Sequence, residues 1–252
     1  MNWQDHTSSE IMTEVKDGRT CALLPVGAIE QHGPHLCTSY DSLIATRIAE
    51  DLAILHKFWC LPCFQYGTSE HHLGFFGTIS LREETILALL ADICRSLAKS
   101  QITKLILING HGGNTIWMKK IDHKFNTFGI SIIHDSHAPI LFKAIRESTE
   151  KMSSEIDNAE GRMGLHAGLF ESSLALFTHP QSIKMNRAAP GTLPGNGKDH
   201  WLDQDIKTIM SEGLSKHSPN GIIGDPIGAN PTFGKYFYSI LIKEFEKLCI
   251  EG

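Results

Sequence analysis

The sequence has no apolar run near the roughly 18–20 residues that a membrane-crossing helix requires. It has no basic excess either: 23 Lys and Arg stand against 28 Asp and Glu, a formal charge of −5 with histidine neutral. A mildly acidic chain is a poor partner for nucleic acid or an anionic membrane surface. Cysteine is sparse, at 21, 37, 60, 63, 94 and 249 only, which is not the dense pattern of a disulfide scaffold. Repeats and low-complexity tracts are missing, and Met1 to Glu14 is too polar for a signal peptide. A cytoplasmic location is therefore expected. With 41% hydrophobic and 20% charged residues, the composition excludes general disorder. The 252 residues suit a single domain over 1–252 with a sizeable core. What the chain does have is histidine, 14 in all, the commonest metal ligand.

Apolar runs alternate with amphipathic stretches. Cys21–Val26 (CALLPV) and Lys104–Asn109 (KLILIN) read as strands buried on both faces. Phe58–Phe64, weakened by Pro62, and Gly129–His134 are further strand candidates. Helical spacing is seen over Ser42–His56, Arg82–Ala98, Thr115–Phe128, Gly168–Phe177, Trp201–Lys216 and Gly234–Leu248. The Gly- and Pro-rich segments Asn186–Lys198 and Pro219–Gly234 read as long loops. Strand-then-helix alternation predicts an α/β fold: a three-layer sandwich, with a mostly parallel central sheet and helices on both faces. In such sheets ligands bind beyond the C-terminal strand ends.

Those ends carry unusual residues. After CALLPV comes Gly27-Ala28-Ile29-Glu30-Gln31-His32-Gly33-Pro34-His35, with Asp41 nine residues beyond His32. In extended backbone, Glu30 and His32 point the same way. After KLILIN comes Gly110-His111-Gly112-Gly113-Asn114, and much later His166-Ala167-Gly168-Leu169-Phe170-Glu171. An isolated Glu-x-His at a strand end is ordinarily a hydrogen-bonded loop. Two such places, with a further Asp and Glu, offer a carboxylate and imidazole set suited to Zn, Mn or Fe. Five ligands exceed what one tetrahedral zinc takes and fit two divalent metal ions if one carboxylate bridges. Three carboxylates against two dications leave one positive charge, which a bridging hydroxide would neutralise; such a hydroxide is the nucleophile of two-metal hydrolases.

GAIEQHGPHL, the Asp nine residues after His32, NGHGGN and HAG-x-x-E together resemble the creatininase (creatinine amidohydrolase-like) family. The run from Gly67 to Leu81 and the late Gly224-Asp225-Pro226 add to the likeness, which extends from about residue 20 to about residue 240. The resemblance implies an α/β sandwich, a dinuclear metal centre, and a metal-dependent amidohydrolase in which a metal-bridging hydroxide attacks the carbonyl of a small, cyclic or linear amide. It also implies an assembly of identical chains, often six. Carried over by position, Glu30 and His111 belong to one metal, His32 to the other, and Asp41 bridges. Creatininase has a further ligand two residues after the equivalent of His111; here Gly113 stands there, and the resemblance passes that task to Glu171. His166 is the general acid/base, and Ser69 and His72 are the substrate-binding candidates. Cys37, Ser39, Tyr40, Phe76, Leu169 and Ser172 depart from the family pattern without removing a ligand. Asp135–His166 contains no Trp, whereas creatininase is lidded by tryptophans there, which argues against creatinine as the substrate. Hydrolysis of a carbocyclic diketone, or a binding module without catalysis, are the alternative readings.

Cys60-Leu61-Pro62-Cys63 is a C-x-x-C, but Phe64-Gln65-Tyr66-Gly67 is no helix start, so packing rather than redox chemistry is expected. Asn114 is expected to cap the helix that follows it.

Overall fold

The computed structural model describes residues 1–121, 128–136, 139–193 and 201–251, with backbone alone for 201–206. Strands β1 (Cys21–Val26), β2 (Trp59–Cys60), β3 (Lys104–Asn109) and β4 (Ser131–Ile133) form a parallel sheet in the order β2-β1-β3-β4. The central pair runs in register from Cys21 opposite Lys104 to Val26 opposite Asn109. Every residue of β1 is buried because successive side chains enter two different cores. Leu23, Ile106 and Ile108 pack on one face against α2 (Tyr40–His56), α5 (Ile140–Met152), α7 (Leu169–Thr178) and α9 (Pro231–Glu251). Ala22, Leu24, Leu105 and Leu107 pack on the other against α1 (Ser8–Lys16), α3 (Glu83–Lys99) and α4 (Thr115–Met118). The result is the helix–sheet–helix sandwich that the alternation implied. α6 (Ala159–Met163) and α8 (Trp201–Glu212) complete the described helices.

Several elements differ from their sequence expectation. The strand expected over Phe58–Phe64 is only Trp59–Cys60 plus one bridge from Val26 to Phe64. Pro62 has no N–H to donate, so pairing resumes only beyond it. The helix expected over Trp201–Lys216 ends at Glu212, because Gly213 turns the chain with φ of 89° into a separate 3-10 turn. Of the helix expected over Thr115–Phe128, α4 is the described part, and residues 122–127 lie outside the described residues. The strand at Gly129–His134 shortens to Ser131–Ile133.

Two glycines at the strand ends set the position of everything that follows. A Cβ on Gly27 would lie 2.4 Å from Ser42 Cα, and one on Gly110 would lie 2.3 Å from the Asp41 carbonyl oxygen. The first turn of α2 therefore rests directly on the ends of β1 and β3, an approach that any side chain would block.

Candidate metal centre

Six chain segments meet above these strand ends. Glu30 and His32 come from the loop after β1, Asp41 from the first turn of α2, and His111 from the loop after β3. Glu171 lies in the first turn of α7, His166 just before that helix, and His72 in the one-turn helix Glu70–His72. All are buried. Asp41 sits in the middle: its Oδ1 is 3.0 Å from His32 Nε2, and its Oδ2 is 3.2 Å from His111 Nδ1. Glu30 Oε1 is 3.4 Å from the same His111 nitrogen. Two groups, Glu30–Asp41–His111 and His32–Asp41–Glu171, each place three ligand atoms within 4.8 Å of one another, and Asp41 belongs to both.

These contacts leave polar atoms unsatisfied. Among the described residues, Glu30 Oε2, His32 Nε2 and Asp41 Oδ2 are fully buried and have no hydrogen-bond partner. Buried polar atoms are nearly always paired, so oxygens and nitrogens crowded this way fit ligands converging on cations. Carboxylate with imidazole is also the donor set that zinc, manganese and iron accept.

Backbone carbonyls fix which ring nitrogen each histidine presents, because a carbonyl can only accept. His111 Nε2–H donates to the Thr68 carbonyl at 3.0 Å, leaving a bare Nδ1 toward Glu30 and Asp41. His32 Nδ1–H donates to the Glu30 carbonyl at 3.1 Å, leaving a bare Nε2 toward Asp41. His166 Nε2–H donates to the Gln31 carbonyl at 2.7 Å, leaving a bare Nδ1 at 3.6 Å from Glu30 Oε1. His72 is the opposite. The Gln31 side chain is oriented by accepting from Gly33 N–H at 2.9 Å and donating to the Gly221 carbonyl at 2.9 Å. Its amide nitrogen, also 3.0 Å from His72 Nδ1, therefore donates there. His72 must carry its proton on Nε2, 3.6 Å from Glu30 Oε1, so it presents a donor where the other three present a lone pair.

Without cations the cluster must hold protons. Burial opposes charge on His32, but Asp41, Glu171 and Glu30 together outweigh it and raise its pKa to about 10. Burial raises Glu171 to about 7, although nearby His32 pulls the other way. Burial, followed by the neighbouring His32 charge, drives His166 down to about 3.

Gly113 cannot be a masked ligand position. A Cβ there would lie 2.4 Å from both His111 Nε2 and the Thr68 oxygen. Glu171 comes from the other side: Ala167, held at φ of 53°, donates its N–H to Glu171 Oε2 at 2.5 Å. Leu169 is buried in the hydrophobic core. Ser69 sits behind His111, its hydroxyl 3.3 Å from Nε2 and fully buried, so it supports the ring and does not wall the cavity. Asn114 makes no cap bond. Its amide ties three loops instead, donating to Gly27 and Asn109 and accepting from Thr68 N–H and Trp117 Nε1–H. Asp225 of the late Gly-Asp-Pro pairs with Arg162 at 3.2 Å, under the loop that carries His166. Cys60 and Cys63 are free thiols, and burial pushes Cys60 up to about 12, away from thiolate chemistry. Sequence reasoning missed Gln31, which bears no chemical signature until Gly221 and His72 are folded beside it.

The centre opens into a cavity of about 1030 Å³, whose walls include His71, His72, Ile116, Leu141, Phe142, Met210 and Leu214.

Comparison with known proteins places these features. A family model described as "Creatininase: Creatinine amidohydrolase" matches residues 4–249. The creatinine amidohydrolase of Pseudomonas putida is 31% identical over 200 residues, covering 75% of this chain and 76% of that protein. The mycofactocin precursor peptide peptidase of Mycobacterium ulcerans (strain Agy99) is 28% identical over 237 residues, covering 88% and 81%. The crystal structure of a creatinine amidohydrolase superposes with a TM-score of 0.79 at 23% identity, over 98% of this chain and 95% of that one. A solved structure described as "Creatininase Mn" gives a TM-score of 0.77 at 22% identity, over 99% and 97%.

Proposed function

The chain belongs to the creatininase family of metal-dependent amidohydrolases, and from that premise we propose that it cleaves the amide of a small substrate at a pair of divalent ions. The observation that carries this reading is Asp41, shared between two buried ligand triads in which, among the described residues, Glu30 Oε2, His32 Nε2 and Asp41 Oδ2 have no hydrogen-bond partner. In this reading Glu30, His111 and Asp41 hold one ion, and His32, Glu171 and Asp41 hold the other. Manganese in one solved creatininase and a zinc–zinc form of another support ions of this kind. Two such ions would make a water nucleophilic at neutral pH and polarise a carbonyl.

The protein's own groups then divide the proton work. His72 offers an N–H to the substrate's carbonyl oxygen, which gains charge during attack. His166 offers a bare Nδ1 that can accept a proton and return it to the departing nitrogen. The two rings are 4.5 Å apart, so both can reach one substrate. Ser69 and the Thr68 carbonyl keep His111 turned toward its ion.

Names of relatives span creatinine, a precursor peptide and, in Thermotoga maritima, 3-dehydro-scyllo-inosose. Ligand geometry does not choose among them, since a metal-activated water attacks any polarised carbonyl. A panel of creatinine, lactams, formamides and cyclic diketones, run beside elemental analysis, tests the reading. It expects two metals per chain and consumption of an amide, with both lost in Glu30→Gln and Asp41→Asn. Full activity in either variant contradicts it. Light scattering checks the assembly of identical chains that the same reading includes.

A further inference from the structure

The floor and the walls of the cavity carry opposite charge. Among the described residues, the carboxylates that line it are Glu30, Asp41 and Glu171, all at the floor. The walls carry Lys119, Lys143, Arg146 and Lys207. Lys143 is paired with Glu244 and is not available. The other three are exposed, and among the described residues they stand in no ion pair. They come from three separate elements, following α4, on α5 and on α8. A chain with a net charge of −5 has thus gathered free cations around one opening. Two dications with one hydroxide would balance the three floor carboxylates, leaving the wall cations as the net charge of the cavity. Between the cations the wall is apolar, through Ile116, Leu141, Phe142, Met210 and Leu214. At about 1030 Å³ the space matches the upper end for drug-sized ligands, about 300–1,000 Å³. A single five-membered ring would leave most of it empty.

We propose that the amide cleaved here carries an anionic group, carboxylate or phosphate, on an apolar body, and that Lys119, Arg146 and Lys207 hold that group while the carbonyl lies over the floor. This deepens the metal-hydrolase reading and rests on it. Exposed cations at a cavity mouth raise the local concentration of an anion and select against neutral analogues. Their pull weakens with salt, since the screening length is about 8 Å at physiological ionic strength.

The test uses three probes with the same scissile amide: N-hexanoylglycine, its aminomethylphosphonate counterpart, and neutral N-hexanoylglycinamide. Binding to the metal-loaded protein is measured by calorimetry, alongside kcat/KM and metal content. At least one anionic probe is expected to bind ten times more tightly than the neutral one, with the margin shrinking as salt rises. Which anion binds better identifies the group. Replacing Lys119, Arg146 and Lys207 together by Gln is expected to bring the anionic probes down to the neutral level. Equal binding of all three probes, no measurable binding of the anions, or a preference that survives the triple substitution each overturns the proposal. The last result would mean that the floor ions themselves take the anion. Two metals per chain without a charge preference would remove only the anion subsite, whereas a preference in a protein that binds no metal would remove only the hydrolase reading.

Discussion

Gln31→Met removes an amide while keeping an unbranched side chain of similar length, and it separates the roles of His72 and the metal ligands. The wild-type amide donates to His72 Nδ1 at 3.0 Å and to the Gly221 carbonyl at 2.9 Å, and accepts from Gly33 N–H at 2.9 Å. Each bond contributes about 0.5–1.5 kcal/mol net, and a buried group left unpaired costs about 1–3 kcal/mol. Losing all three should destabilise the protein by roughly 3 kcal/mol. The bond to His72 also decides its tautomer. Without it, the preference for a proton on Nε2 weakens by about 1 kcal/mol, below the roughly 1.4 kcal/mol that makes a factor of ten. Turnover of whichever panel amide is consumed should fall by no more than about fivefold, the factor that about 1 kcal/mol gives, while His72→Ala, which removes the donor outright, should cost about 10²–10³. No ligand is touched, so metal content should stay at two. Nitrogen NMR of the zinc-loaded protein, labelled at histidine, should show His72 bare at Nδ1 in wild type and mixed in the variant. His166 should not change, because its bond goes to the Gln31 main chain. An unchanged kcat with a mixed His72 spectrum would refute the donor role, and an unchanged spectrum would refute the control of the tautomer by Gln31. Loss of activity in step with loss of metal would make Gln31 merely structural.

Four further outcomes follow from particular contacts. Gly110→Ala puts a methyl 2.3 Å from the Asp41 carbonyl; it should cost about 1–3 kcal/mol in denaturant unfolding and weaken metal binding in titrations. Chelation should lower the melting temperature, since ions that bind only the folded state stabilise it by mass action; an unchanged melt in a fully stripped protein contradicts the site. Ser69→Ala should leave kcat within a few-fold, because the Thr68 carbonyl still orients His111, and steady-state kinetics decides. Burial, partly offset by the Ile140 N–H, raises Asp135 from 3.8 to about 6. A carboxyl that is harder to ionise when folded favours the fold below pH 3.8, and that advantage is lost as pH rises to 6, about 3 kcal/mol in all. Asp135→Asn should therefore raise the melting temperature at pH 7.5 and leave it little changed near pH 3.5.

Much of the fold was legible because burial on both faces leaves a plain mark. CALLPV and KLILIN read as strands since Leu23 and Leu24 each need an apolar partner, one in each core. Elements governed by one residue were harder to bound: Pro62 cuts β2 short, and Gly213 splits the helix after Trp201. Helix α1 was not anticipated in a polar stretch, although Thr7 and Glu10 form a reciprocal capping box there. Helix α5 was also missed, its buried Ile140, Ala144, Ile145 and Met152 following directly on Pro139. At the site, the candidate ligands were legible from their residue types and their places at strand ends. The proton positions were not. They depend on carbonyls that arrive from far along the chain, as Gly221 reaches Gln31 across 190 residues. Asn114 likewise looked like a cap, since nothing local revealed that Gly27 and Thr68 would claim its amide.

The most direct measurement is anomalous diffraction from metal-loaded crystals of the wild type and of Asp41→Asn. Two peaks on either side of the Asp41 carboxylate, one beside His111 and one beside His32, with both weakened or lost in the variant, are the predicted result. A single peak, or a pair that does not touch Asp41, would contradict the account.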